Sequence, residues 1–155
     1  MVRKRWVGVD VRNPGGRELV VRLAERVDIF AENDKAGAMD DIGLGFGFKD
    51  LSAINPRFLY ASVSGFGIGE SPHRGRPAYA SIVESMSGAY EYQRNFERPP
   101  IVAPVGALGD ISTAMFTAMF AAVGMLAALI HRERTGLGQH VDVAMLDSMV
   151  RCPTW

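Results

Sequence analysis

Residues 111–130 are twenty consecutive positions without a formal charge, closed by His131-Arg132-Glu133-Arg134. This run restricts the fold more than any other feature, because a segment of this length and composition has two stable fates. It is a helix that crosses a bilayer with cations on one flank, or a helix apolar on every side and buried in a soluble core. The run is mostly alanine, methionine and phenylalanine and includes Ser112, Thr113, Thr117 and Gly124, so its insertion energy per residue is weak. A core helix without a membrane is therefore expected, ending near Thr135-Gly136 with Arg132 and Arg134 where cations complement the helix dipole.

Such a helix needs a sheet to cover it, and the flanking sequence supplies strand patterns. Residues 5–11 read as a strand with Trp6-Val7-Gly8-Val9 as its apolar part. Asn13 and Pro14 suit an N-cap and a first helical position, and Leu19, Val20, Leu23, Ala24 and Val27 recur at helical spacing, giving a helix over 14–27. Residues 28–33 form a second short strand whose polar end is where ligands lie in open parallel sheets. Two short helical pieces between 35 and 55 flank Gly43-Leu44-Gly45-Phe46-Gly47, and residues 57–64 form the clearest strand. Tyr79, Ile82, Val83, Met86 and Tyr90 fit one helical face, residues 139–145 alternate as a strand, and a last helix begins after them. Alternation of this kind predicts one α/β domain over residues 1–155, a parallel Rossmann-like sheet with crossover helices.

With 48% hydrophobic residues the chain can bury a real core. Lysine plus arginine balances aspartate plus glutamate at 17 each, which removes the basic field that nucleic-acid binding depends on, so nucleic acid is not an expected partner. Cys152 is the only cysteine and can form neither an internal disulfide nor a cysteine zinc site. The apolar stretch before Asp10 is too short for a secretory signal, and a cytoplasmic protein is expected.

Gly65-Phe66-Gly67-Ile68-Gly69 follows a strand, but the third glycine of a dinucleotide fingerprint falls at Glu70 and Pro72 opposes a helix there. A flexible turn that lets backbone approach a ligand is the better reading. His73, His131 and His140 share no metal-ligand spacing, no serine elbow occurs, and no metal is expected. Asp110, in Gly-Ala-Leu-Gly-Asp-Ile-Ser-Thr, stands just before the apolar run. Position alone leaves two readings open: an N-cap, or an ionised carboxylate held at the positive helix end with Gly109 leaving room for substrate.

The order of motifs supplies more. Asn55-Pro56-Arg57-Phe58-Leu59-Tyr60-Ala61-Ser62-Val63-Ser64-Gly65-Phe66-Gly67, then Arg76-Pro77-Ala78-Tyr79, Met86-Ser87-Gly88, Gly109-Asp110 and Arg134-Thr135-Gly136-Leu137-Gly138-Gln139-His140-Val141-Asp142-Val143 resemble the class III coenzyme A transferases of CaiB/BaiF type. Asn13-Pro14 to Arg17 and Ala31-Glu32-Asn33 match earlier segments of that family. The resemblance implies acyl-CoA and a carboxylic acid as substrates and Asp110 as the nucleophile, passing through an acyl-aspartyl anhydride and an aspartyl-CoA thioester. It further implies that Asn33, Tyr79 and Met145 line the CoA site, with Gly65 and Gly67 nearby and Arg76 toward a phosphate or pantetheine oxygen. A racemase branch of the family pairs a histidine with an aspartate, and that histidine falls at Tyr79 here. A tyrosine hydroxyl, with an ordinary pKa near ~10, suits proton exchange at neutral pH poorly, so transfer leads.

Two residues depart from the family pattern: Asp34 replaces a usual phenylalanine, and Asp41 stands where a basic residue is frequent. Both would repel an anionic CoA that they face. The resemblance covers the middle of a longer enzyme, whose members are interlocked dimers, so the chain is expected to be a partial fold of a homodimeric enzyme. A non-catalytic piece that only associates with other chains is the alternative.

Overall fold

A computed structural model describes residues 4–41, 45–88 and 106–151, the side chains of Asp41 and residues 106–112 excepted. Tyr90 and Cys152 lie outside the described residues. Three parallel strands, β1 (Ile29–Glu32), β2 (Leu59–Ser64) and β3 (His140–Ala144), pair in the order β1-β2-β3. Phe30 stands opposite Tyr60 and Tyr60 opposite His140, while Glu32, Ser62 and Asp142 form the next row across the sheet. The strands are joined by helices, which gives the α/β architecture that the alternating pattern predicts.

Helix α1 (Pro14–Ala24) starts where its sequence says it should: the Asn13 side chain accepts from the Gly15 N–H at 2.9 Å and Pro14 follows the cap. It ends three residues short of the expected Val27, because the Arg26 N–H turns back to the Leu23 carbonyl at 2.9 Å and tightens the last turn. The short helices α2 (Ala38–Asp41) and α3 (Phe48–Ile54) flank the glycine segment as expected. Ala24, Phe46, Leu51, Phe58 and Tyr60 form the core on this face of the sheet, with Val20, Val21, Phe30 and Phe48 packed against it.

The other face carries α4 (Ala80–Ser87), α5 (Gly106–Thr135) and α6 (Met145–Val150). Helix α5 turns its small and polar residues inward: Thr113, Thr117, Ala121, Ala128 and Arg132 are buried, while Met115, Met119, Phe120, Val123, Leu126 and Ile130 are exposed. A β-carbon at Gly124 would stand 2.7 Å from Val141 Cγ1, so the helix axis lies close over β3. At its far end Arg132 Nη1 meets Asp28 Oδ1 at 3.0 Å, tying α5 to the residue before β1. Residues 113–135 remain long and apolar enough to cross a bilayer by composition.

Three expectations need correction. Residues 5–10 form no strand, and Trp6 is 97% exposed. A strand needs a neighbour for its N–H and C=O groups, and β1 pairs only with β2 among the described residues. Asp10 instead closes a turn, its carboxylate accepting from the Arg12 N–H at 3.0 Å. Helix α5 begins at Gly106, so Asp110 is its fifth residue and not its N-cap. On α4 the buried residues are Val83 and Glu84, while Tyr79, Ile82 and Met86 of the expected apolar face are exposed.

Candidate functional site

Parallel strands deliver their carboxyl ends to one side of a sheet, and there this chain forms a hollow. Asn33, Asp34, Lys35 and Ala36 follow β1, Ser64, Gly65 and Phe66 close β2, and Met145 follows β3; together with the facing Gly75, Arg76, Pro77, Ala78 and Tyr79 they line a cleft of about 550 Å³. Close approach of the two walls demands glycine at one point: a β-carbon on Gly65 would lie 2.0 Å from that of Ala78. Gly67 has φ +78° and donates its N–H to Ser64 Oγ at 3.0 Å. The turn is then anchored twice, by the Ile68 N–H to Asp142 Oδ2 at 2.9 Å and by the Leu146 N–H to the Gly65 carbonyl at 3.1 Å. Backbone held in this way gives the cleft one firmly anchored wall.

Of the residues singled out in the sequence, Asn33, Gly65, Arg76, Tyr79 and Met145 all line the cleft. Gly67 shapes the turn beneath it. Asp110 lies in the second turn of α5, and its side chain is outside the described ones. Asp34 is on the cleft wall, beside Lys35. Lys35, Ala36, Ser64, Gly75, Pro77 and Ala78 were missed as lining residues; the available signal was their place at or after strand ends or around the Arg76-to-Tyr79 motif.

Beneath Asp34 the chain is held by Glu32, whose Oε2 accepts the Asp34 N–H at 2.6 Å. Burial raises the Glu32 pKa above the usual carboxylate value; that N–H opposes the rise, and the neighbouring Asp34, Asp142 and Asp40 add to it. Glu32 also borders a second cavity of about 380 Å³, on the sheet face of Tyr60, with Asp40, Phe48, Lys49, Ser62 and His140. There Ser62 Oγ and His140 Nε2 are 2.7 Å apart. Burial lowers the His140 pKa against the pull of Asp142 and Asp40, and burial together with Glu32, Asp40 and Asp34 raises that of Tyr60. Among the described residues no group of three His, Cys, Asp or Glu side chains is placed to hold a metal ion.

The sequence pattern of CoA-transferase family III matches residues 3–155. The chain is 41% identical over 150 residues to a succinyl-CoA:mesaconate CoA-transferase of Haloarcula hispanica, covering 95% of this chain and 36% of the relative. It is 38% identical over 144 residues to an acetyl-CoA:oxalate CoA-transferase of Acetobacter aceti, covering 93% and 35% respectively. Over 147 residues it is 35% identical to a formyl-CoA:oxalate CoA-transferase of Escherichia coli, covering 95% and 33%. The crystal structure of a CAIB/BAIF family protein from Brucella suis superposes with a TM-score of 0.80 at 34% identity, over 94% of this chain and 36% of that one. The chain thus spans little more than a third of the length of these relatives. With a family pattern running through almost every residue and a fold that superposes on a solved member, the chain belongs to CoA-transferase family III.

Proposed function

We propose that this chain carries the CoA cleft and the nucleophile of an enzyme that moves CoA from an acyl-CoA donor to a carboxylic acid. The observation that carries the reading is the meeting of Asn33, Gly65, Arg76, Tyr79 and Met145, from four separated segments, around one cleft at the carboxyl ends of the strands. A slender pantetheine chain suits a hollow walled by Gly65, Phe66, Pro77, Ala78 and Met145, and among the described lining residues Lys35 and Arg76 supply cations beside Asp34.

In the reaction, an Asp110 carboxylate oxygen attacks the thioester carbonyl and the C–S bond breaks, leaving an acyl-aspartyl anhydride and a CoA thiolate. The thiolate then attacks the aspartyl carbonyl, expelling the donor acid and forming an aspartyl-CoA thioester. The acceptor carboxylate attacks that thioester, its C–S bond breaks, and a second anhydride and the free CoA thiolate result. Thiolate attack on its acceptor carbonyl releases the new acyl-CoA and restores Asp110. Covalent catalysis divides one hard exchange into steps of similar energy. The relatives named for succinyl-CoA and mesaconate, or for acetyl- or formyl-CoA and oxalate, support short acyl donors and small carboxylic acids as the substrate class. Metal-free chemistry in a cytoplasmic homodimer completes the reading.

Exposing the protein to acyl-CoA in the presence of hydroxylamine tests it. An Asp110 hydroxamate found by peptide mass spectrometry, and its absence after Asp110→Asn, is expected. Turnover that persists in Asp110→Asn sinks the assignment.

A further inference from the structure

Glu84 is a buried carboxyl with no part in the steps above. It sits on the inner side of α4, 6% exposed, in a helix whose other buried residue is Val83. Thr113, itself 1% exposed, donates its hydroxyl to Glu84 Oε1 at 3.1 Å. Thr113 is anchored in turn, its carbonyl accepting the Thr117 hydroxyl at 2.6 Å. A carboxyl enters such an interface at considerable desolvation cost, and a hydrophobic residue would fill the space more cheaply.

What this contact joins is informative. Thr113 lies three residues beyond Asp110 on α5, so the two share one side of the helix a turn apart. Glu84 lies five residues beyond Tyr79, the residue that caps α4 and lines the cleft. This hydrogen bond therefore joins the helix that bears Asp110 to the helix that begins at the cleft wall. Of the apolar residues of α4, Val83 is buried while Ile82 and Met86 are exposed, so a polar contact carries part of this helix–helix interface.

We infer that Glu84, through Thr113, is a positioning residue for Asp110 that sets the register of α5 against the cleft wall. The inference rests on the reading of Asp110 as nucleophile. It acts by hydrogen-bond acceptance, so Gln, whose amide oxygen also accepts from Thr113, substitutes for Glu.

The test is steady-state transfer by the protein that carries this sequence, with any flanking segments it has, for Glu84→Ala, Glu84→Gln, Thr113→Val and Asp110→Asn. Rates are measured well below each variant's melting temperature and normalised to folded protein. Misplacement of an attacking group by about an ångström costs up to ~100-fold, so kcat is expected to fall roughly 10- to 100-fold in Glu84→Ala and Thr113→Val, with KM for acyl-CoA nearly unchanged. Glu84→Gln is expected to return kcat to within about threefold of the parent, since its acceptor geometry is kept. Parent-like kcat in Thr113→Val, or a lowered melting temperature with parent-like kcat in Glu84→Ala, overturns the inference, as does Glu84→Gln as slow as Glu84→Ala. Persisting activity in Asp110→Asn overturns the underlying nucleophile assignment instead, so the two failures are told apart.

Discussion

His140 reaches from β3 to the Ser62 hydroxyl on β2 at 2.7 Å, under the ring of Phe48 and beside that of Tyr60. Its pKa lies below the ordinary 6.5 because burial penalises the imidazolium. Just below pH 6.5 the unfolded chain then binds more protons at this position than the folded one. Stability is present above 6.5 and is lost as pH falls from there through the folded-state value. Glu32, raised by burial, has the opposite sign, its contribution falling as pH rises from 4.5 through its folded-state value. Melting curves between pH 7.5 and 5 should show a parent protein losing stability on acidification and His140→Gln losing less, its amide keeping a bond to Ser62. Equal pH slopes for the two would show that the imidazole does not carry the effect.

At the scale of elements, α5 is positioned by what it lacks. Gly124 allows the helix to approach β3 so closely that a β-carbon would stand 2.7 Å from Val141 Cγ1. Alanine is ordinarily the better helix former by about 1 kcal/mol, yet Gly124→Ala should destabilise, by about 1 kcal/mol or more if the helix has to shift. Adding Val141→Ala makes room, so the double variant should unfold later than the sum of the single effects implies. Additive denaturation free energies would show that the contact is not tight. Much of this layer was legible in the sequence. The apolar run from Phe58 to Val63 with its glycine turn announced β2, and Asn13-Pro14 announced α1, because those signals are local. The start of α5 was not legible, since the uncharged run begins only after Asp110 although the helix already includes Gly106 and Gly109. On α4, periodicity counts apolar side chains and cannot see that Thr113 supplies a partner for Glu84, so it chose Ile82 and Met86 for the core. The strand expected over residues 5–11 failed because pairing is decided by a distant neighbour. The cleft was legible only through ordered motifs: Asn33, the Arg76-to-Tyr79 segment and Met145 are far apart in sequence, and only the fold brings them together.

At the scale of the molecule, the described fold presents a broad apolar exterior. Met115, Met119, Phe120, Val123, Leu126 and Ile130 on α5, with Ile82 and Met86 on α4, are all exposed, and a large exposed apolar patch favours association. Residues 1–155 produced alone should therefore self-associate, and replacing Met119 and Leu126 with glutamate should raise the monomeric fraction in sedimentation without lowering the melting temperature. A lowered melting temperature would mean that these side chains already pack within the fold.

One helix thus separates two properties that a hydropathy profile merges. Folding stability is written on the narrow inner stripe of Thr113, Thr117, Ala121 and Ala128, where an added methylene collides with its neighbours. Solubility is written on the opposite side, where side-chain size hardly matters to the sheet beneath. Mutational scans of α5 should resolve into two periodic tracks half a turn out of phase, one read by unfolding and the other by aggregation.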